Sequence, residues 1–206
     1  MSYKILVVED VLIVRELLEI TLKFKGYDVE TATNGREAME KIAARRPDLV
    51  VTDILMPDLD GYALAHRLRR APETRNLPII FVSATYVSPE DKEFALSLGA
   101  MRFLEKPIDA EEFLLTVAEV LQQQEANAAP PLDDVTFYRG YYERLENKLR
   151  YKSHRIARLE RLLPNLPENQ RPAFAAMLAK VRRERQTIRE ELLEVKEILK
   201  EIDTGK

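Results

Sequence analysis

Four points in the chain carry side chains able to do chemistry together. They are an acidic pair Glu9-Asp10 after Ile5-Leu6-Val7-Val8, Asp53 after Leu49-Val50-Val51-Thr52, Ser83 after Ile79-Ile80-Phe81-Val82, and Lys106 after Phe103-Leu104-Glu105. Three carboxylates, a hydroxyl and an ammonium suit phosphoryl transfer. Clustered carboxylates hold a hard divalent cation such as Mg²⁺, which keeps water ligands and accepts phosphate oxygens. The cation offsets repulsion between an incoming phosphoryl group and a carboxylate nucleophile, while a lysine and a hydroxyl bind the remaining oxygens. Asp53 is the candidate nucleophile, since an aspartate can carry a phosphoryl group as a mixed anhydride.

Each of these groups closes a short apolar run. Strands buried on both faces of an open parallel sheet read as continuous Val/Ile/Leu stretches, and ligand chemistry gathers beyond their carboxyl ends. Between the runs lie helical patterns. Leu12, Val14, Leu17, Leu18, Ile20, Leu22 and Phe24 predict a mainly apolar helix that stops at Lys25-Gly26, with glycine just past the end. A strand over 28–32 leads through Asn34-Gly35 to a helix bearing Ala38, Met39 and Ile42, halted before Pro47. Helices near 60–70, 89–98 and 109–124 alternate with strands near 79–83 and 102–105. Five strand-helix units with right-handed crossovers predict an α/β doubly wound domain built on a five-stranded parallel sheet.

Residues 1–124 resemble the receiver domain of two-component response regulators. The resemblance rests on Ile5-Leu6-Val7-Val8-Glu9-Asp10, on Thr52-Asp53-Ile54-Leu55-Met56-Pro57-Asp58-Leu59-Asp60-Gly61, on Val82-Ser83-Ala84, and on Phe103-Leu104-Glu105-Lys106-Pro107. It implies a flavodoxin-like sheet in the order 2-1-3-4-5 and phosphorylation of Asp53 by a partner histidine kinase. It also implies Mg²⁺ held by Asp10, Asp53 and the Leu55 carbonyl, with Glu9 a ligand through water. Ser83 and Lys106 would bind phosphoryl oxygens, Phe103 and Ser83 would report the phosphorylated state, and the Lys106-Pro107 bond would be cis. Such a receiver catalyses its own phosphorylation and dephosphorylation, and no stand-alone catalytic output domain is expected.

Two departures stand out. The acidic pair is Glu-Asp where the family more often has Asp-Asp, with Val11 where another acid is frequent. Leu55 and Thr85 offer no acid or amide to orient an attacking water, so a long-lived phosphoryl state is expected.

Composition bounds the remainder. The chain has 206 residues, 46% of them hydrophobic, which is enough for a domain plus an appendage, and no cysteine, which removes disulfides and thiol chemistry. With no basic-then-apolar leader and no apolar run near the ~20 residues that span a bilayer, a cytoplasmic location without membrane contact is expected. From Glu125 onward there are 17 Lys/Arg against 14 Asp/Glu, or +3, leaving 15 against 21, or −6, before it. Mixed charge at helical spacing reads as a solvated, ion-paired face, so nucleic acid is not an expected partner.

A linker is predicted over 125–133, with Ala128-Ala129-Pro130-Pro131 as a semi-rigid spacer. Residues 134–206 then predict an antiparallel two-helix coiled-coil hairpin, with helices about 134–163 and 172–203. Tyr138, Tyr142, Leu145, Leu149, Lys152, Ile156, Leu159 and Leu163 are spaced 4-3-4-3-4-3-4, and Phe174, Leu178, Val181, Arg185, Ile188, Leu192, Val195 and Leu199 repeat the rhythm. A turn centred between Glu168 and Asn169 pairs Ile156 with Val181 and Leu159 with Leu178. The same register sets Lys148 near Glu191 and Arg155 near Glu184, and leaves one polar layer, Lys152 with Arg185.

No recognition helix, glycine-rich loop or nucleophile elbow appears in this segment. A hairpin of this kind offers contact with an unknown downstream protein or with a second copy, giving a possible homodimer. Two other functions remain open on sequence. One is a constitutive coiled-coil scaffold. The other is phosphotransfer through His154, although Arg155 and Leu159 stand where a phosphotransfer hairpin would carry an acid and a proline.

Overall fold

A computed structural model of the chain describes residues 2–84, 88–123 and 132–204. The chain divides into two compact units, Met1–Leu132 and Asp133–Lys206. The expected linker falls almost wholly outside the described residues, as does Thr85.

The first unit alternates strand and helix: β1 (Lys4–Val8), α1 (Leu12–Phe24), β2 (Asp28–Ala32), α2 (Gly35–Ala44), β3 (Leu49–Asp53), α3 (Gly61–Arg70), β4 (Ile79–Ser83), α4 (Pro89–Ser97), β5 (Arg102–Glu105) and α5 (Ala110–Gln122). The sheet is parallel, in the order β2-β1-β3-β4-β5. β1, β3 and β4 are buried along their whole length, whereas β2 and β5 at the edges are only partly covered. The unbroken apolar runs therefore mark the interior strands. Ile5, Val7, Val51, Ile80 and Val82 pack with Leu18 and Leu22 of α1 and with Phe113 and Val117 of α5.

Helix starts are written in the local sequence. Asn34, Asp60, Ser88 and Asp109 each accept a backbone N–H of the following turn, satisfying donors that the helix itself leaves unpaired. The strand register sets the height of the site. Val8 lies opposite Thr52, Asp53 opposite Val82, and Ser83 opposite Glu105, so the chemically active groups leave the sheet at one level.

Helix α1 departs from the expected burial. Of its apolar residues only Leu18 and Leu22 are buried, while Leu12, Ile13, Leu17, Ile20 and Phe24 are exposed. A helix apolar all round has one face too many for a single sheet to cover.

The second unit pairs α6 (Asp134–Leu162) with α7 (Arg171–Thr204) across a 3-10 turn at Leu163–Asn165. Pro172 falls in the first turn of α7, where its missing N–H costs nothing. Ile156, Leu159, Leu178 and Val181 form a core with Phe174 against it, as the register requires. At the other end Arg139 meets Asp203 at 3.3 Å.

One feature of the register is corrected, and two contacts add to it. Phe137 and Tyr141 are the buried aromatics at the start of α6, stacked at 5.4 Å, and Tyr138 and Tyr142 are only half-buried. The steps 137-141-145 are both fours, which a straight helix of 3.6 residues per turn accommodates and a strict 3.5 repeat does not. Glu191 accepts the Tyr141 hydroxyl, a contact the heptad does not announce. Glu184 binds Lys152 at 2.6 Å, which gives the lysine in the seam a counter-charge.

Candidate functional site

β1 delivers Glu9 and Asp10 to the carboxyl edge of the sheet. Glu9 is 1% exposed, and its backbone N–H donates to the Ala32 carbonyl at 3.0 Å. Its Oε1 accepts the Val11 N–H at 3.2 Å and its Oε2 accepts Lys106 Nζ at 2.6 Å. Asp10, one residue on, faces solvent. β3 delivers Asp53, buried, with Oδ1 accepting the Ile54 N–H at 2.8 Å and Oδ2 lying 3.2 Å from Lys106 Nζ.

β4 ends in Ser83, buried at 1% exposure, whose carbonyl accepts the Lys106 N–H at 2.9 Å. That bond fixes the root of Lys106 beside β4, and the Lys106-Pro107 peptide is cis. The lysine side chain then reaches across to β1 and β3. Glu9, Asp53, Ser83 and Lys106, scattered over 97 positions of sequence, meet at one edge.

Glu9, Asp10 and Asp53 each place one carboxylate oxygen within 4.8 Å of the others. An all-oxygen donor set of this size fits a hard divalent cation that keeps part of its hydration. Asp10 opens the cluster to water. Glu9, held by Lys106 and the Val11 amide, is placed behind it. Leu55, whose carbonyl is the fourth expected ligand, follows Asp53 in the half-buried loop that leaves β3.

The electrostatics are those of a crowded acidic pocket. Burial, with the Glu9 charge adding to it, pushes the Asp53 carboxyl up to about 6, against the opposing pull of Lys106 and the Ile54 amide. Burial works against the Lys106 ammonium, but the charges of Asp53 and Glu9 outweigh it and hold its pKa above the ordinary lysine value. At neutral pH Asp53 is an anion able to act as nucleophile, and Lys106 is a cation beside it.

Phe103 is half-buried on β5, its ring 6.0 Å from Lys92 Nζ of α4. Lys92 also pairs with Glu105, the residue before Lys106. His154 is exposed on α6, and Arg155 follows it.

Two residues of the site, Arg15 and Gly61, have positioning roles that the sequence does not announce, although Gly61 closes one of the runs that carry the resemblance. Arg15 donates from Nη1 to the Glu9 carbonyl at 2.7 Å and to the Asp10 carbonyl at 3.4 Å, clamping the turn that carries both acids. Gly61 donates its N–H to the Ile54 carbonyl at 3.0 Å and closes the loop after Asp53. Neither spacing differs from that of an ordinary helical arginine or a turn glycine.

Comparison with known proteins agrees with this geometry. Residues 5–118 match the family described as the response regulator receiver domain. The chain is similar to response regulator MprA of Mycobacterium sp. strain KMS, at 39% identity over 137 residues, which is 66% of this chain and 58% of that protein. The chain thus spans less than two thirds of the length of such relatives. Among solved structures, a CheY-like response regulator receiver domain protein from Methanospirillum hungatei JF-1 superposes with a TM-score of 0.57 at 30% identity, covering 61% of this chain and 98% of that one. The signal receiver domain of a signal transduction histidine kinase from Syntrophus aciditrophicus gives 0.56 at 34% identity, covering 64% and 98%. Among the described residues, no helix is long and apolar enough to cross a membrane.

Proposed function

The chain belongs to the response regulator receiver family, and from that premise we propose that Asp53 accepts a phosphoryl group from a histidine kinase and passes the signal on through protein contact. The observation that carries this reading is the Lys106 bridge, 2.6 Å to Glu9 and 3.2 Å to Asp53, at a cluster of three carboxylates.

An Asp53 carboxylate oxygen attacks the phosphorus of a phosphohistidine. The O–P bond forms, the P–N bond breaks, and its electron pair returns to the kinase imidazole. Asp10, Asp53 and the Leu55 carbonyl, with Glu9 behind them, are the residues that would hold Mg²⁺, which when bound offsets the negative charge of donor and acceptor. Lys106 binds one oxygen of the transferred group, and the Ser83 hydroxyl donates to another. Transfer exchanges a single carboxylate charge for a phosphoryl dianion beside Lys106. The lysine's hold on Glu9 then weakens in favour of the new charge. Because Lys106 and Glu105 are adjacent on the chain, and Glu105 pairs with Lys92, this shift bears on α4 and on the Phe103 ring between them.

The output assigned to the α6–α7 hairpin is contact with a downstream protein or a second copy. Ion pairs such as Arg182–Glu160 at 2.6 Å and Arg139–Asp203 at 3.3 Å balance charge on its surface, which favours protein contact over nucleic acid. A test is the mass in solution, by light scattering, of wild type and Asp53→Ala with Mg²⁺, with and without beryllofluoride as phosphoryl mimic. A change confined to wild type supports a phosphorylation-gated assembly. No change in either, with partner binding also unmoved, makes the hairpin a constitutive scaffold.

A further inference from the structure

The +3 counted from Glu125 onward conceals a strong polarity along the hairpin. Residues 150–189, the half that contains the turn, carry 11 Lys/Arg against 3 Asp/Glu, or +8. Residues 133–149 and 190–204, the open half, carry 5 against 10, or −5. Ion pairs cancel charge locally, but each joins residues of one half, so none of them lowers the imbalance. Lys152–Glu184 and Arg182–Glu160 lie in the basic half, Arg139–Asp203 and Lys200–Glu197 in the acidic one. Each half therefore repels itself, a strain that an object of opposite sign laid beside it would relieve. The apolar core that must hold the two helices together is small, with five buried side chains from α6 and four from α7.

We infer that a second copy of the hairpin is that object, docked antiparallel so that the basic half of each copy lies on the acidic half of the other. The inference rests on the hairpin being a contact output and is independent of phosphoryl transfer to Asp53. The sign changes at Leu149/Arg150 and at Arg189/Glu190, near the middle of both helices, so a two-fold axis there superposes halves of similar length and opposite charge. The pattern is sharpest on the outer face of α7, where Lys180, Arg183, Thr187, Glu190 and Glu194 are exposed and Leu193 is 61% exposed. Lys180, Arg183 and Glu194 make no ion pair among the described residues, and Glu190 accepts the neutral amide of Gln186 at 2.8 Å. Antiparallel pairing about Thr187 sets Lys180 of each copy against Glu194 of the other and Arg183 within one residue of Glu190, with Leu193 between the two pairs. Parallel pairing sets every one of these charges against itself. Charge therefore selects the antiparallel arrangement, which is isologous and closes at two copies.

The chain has no cysteine, so a single spin label can be placed in the exposed turn through Asn169→Cys. At ~1.5 Å per residue, the two labels of the full-length dimer are expected on the order of 50 Å apart by pulsed electron paramagnetic resonance, whereas turn-on-turn pairing would hold them within about 20 Å. Sedimentation equilibrium is run with Mg²⁺, with and without beryllofluoride. Lys180→Glu with Arg183→Glu is expected to weaken self-association at least about tenfold, as is Glu190→Lys with Glu194→Lys, and all four changes in one chain to restore it. Circular dichroism checks that these surface variants keep their helix content.

A chain that stays monomeric at roughly 100 µM in both states overturns the inference and leaves the assignment of Asp53 untouched. A short label distance, or tighter association on reversing Lys180 and Arg183, overturns it as well, since either means that the basic halves meet each other. If the monomer instead binds poly-glutamate, and Lys180→Glu with Arg183→Glu abolishes that binding, the basic half docks an acidic partner and the second-copy assignment is wrong.

Discussion

Gly61 presses its backbone against the carbonyl of Asp53: a side-chain carbon at position 61 would lie 2.2 Å from that oxygen and 3.0 Å from the Ile54 Cα. Both obstacles are backbone, so neither can swing aside. Gly61→Ala is expected to push the end of β3 out of place, slowing phosphoryl uptake at Asp53 at least about tenfold and costing ~2 kcal/mol of stability. Phosphorylation rates with a small-molecule donor, alongside a urea denaturation curve, check both numbers. An unchanged rate would mean that Asp53 is not positioned through this contact.

Lys106 is proposed to have two roles that pull in opposite directions. Bound to Glu9 at 2.6 Å and beside Asp53 at 3.2 Å, it competes with a cation for the carboxylates, yet it also binds the incoming phosphoryl group. Lys106→Gln is therefore expected to tighten Mg²⁺ binding while slowing phosphoryl uptake by about tenfold to a hundredfold. Calorimetric titration of Mg²⁺ and a phosphorylation time course separate the two. Weakened metal binding would show that the lysine supports the acidic cluster rather than competing with a cation.

The polar layer of the hairpin is unequal. Lys152 has Glu184 at 2.6 Å, while the Nε of Arg185 is buried with no hydrogen-bond partner. Arg185→Leu should raise stability by about 1 kcal/mol, since it removes an unsatisfied buried donor and completes the apolar seam. Lys152→Leu, which strands Glu184 near the seam, should gain less. Thermal unfolding of the two single variants decides the order.

Acid sensitivity is built into the start of α2. Hydrogen bonding to Lys41, reinforced by Thr33 and opposed by burial, lowers the Glu37 carboxyl from 4.5 to about 2. A folded-state pKa below the unfolded one stabilises fully above about 4.5 and fades as pH falls towards 2. The group is partly exposed, so solvent screening limits the contribution to ~1 kcal/mol. The gap in urea midpoint between wild type and Glu37→Gln should hold from pH 7 to about 5 and shrink below that.

Much of the receiver unit was legible in the sequence because its signals are local. Each interior strand is a continuous apolar run ended by a reactive side chain, which brings Glu9, Asp53 and Ser83 to one edge, and Lys106 joins them from the end of the partly covered edge strand β5. What escaped depends on close approach rather than residue type. Nothing near position 61 announces that a side chain there would meet the Asp53 carbonyl, and nothing about Arg15 announces two backbone carbonyls.

Helix α1 misled for another reason. An apolar residue is equally apolar facing core or solvent, and a helix with two apolar faces has no periodicity to separate them. In the hairpin the heptad located the Ile156/Val181 core correctly but drifted by one residue at Tyr138 and Tyr142. Adjacent aromatics at 137–138 and 141–142 fit either a 3.5 or a 3.6 repeat, and only packing selects Phe137 and Tyr141.

The most direct test is intact-protein mass spectrometry of wild type and Asp53→Ala after incubation with phosphoramidate, with Mg²⁺ or with a chelator. The account predicts the added mass of one phosphoryl group on wild type with Mg²⁺, lost on chelation and missing from Asp53→Ala. Phosphorylation that persists in Asp53→Ala, or that is unaffected by chelation, would contradict it.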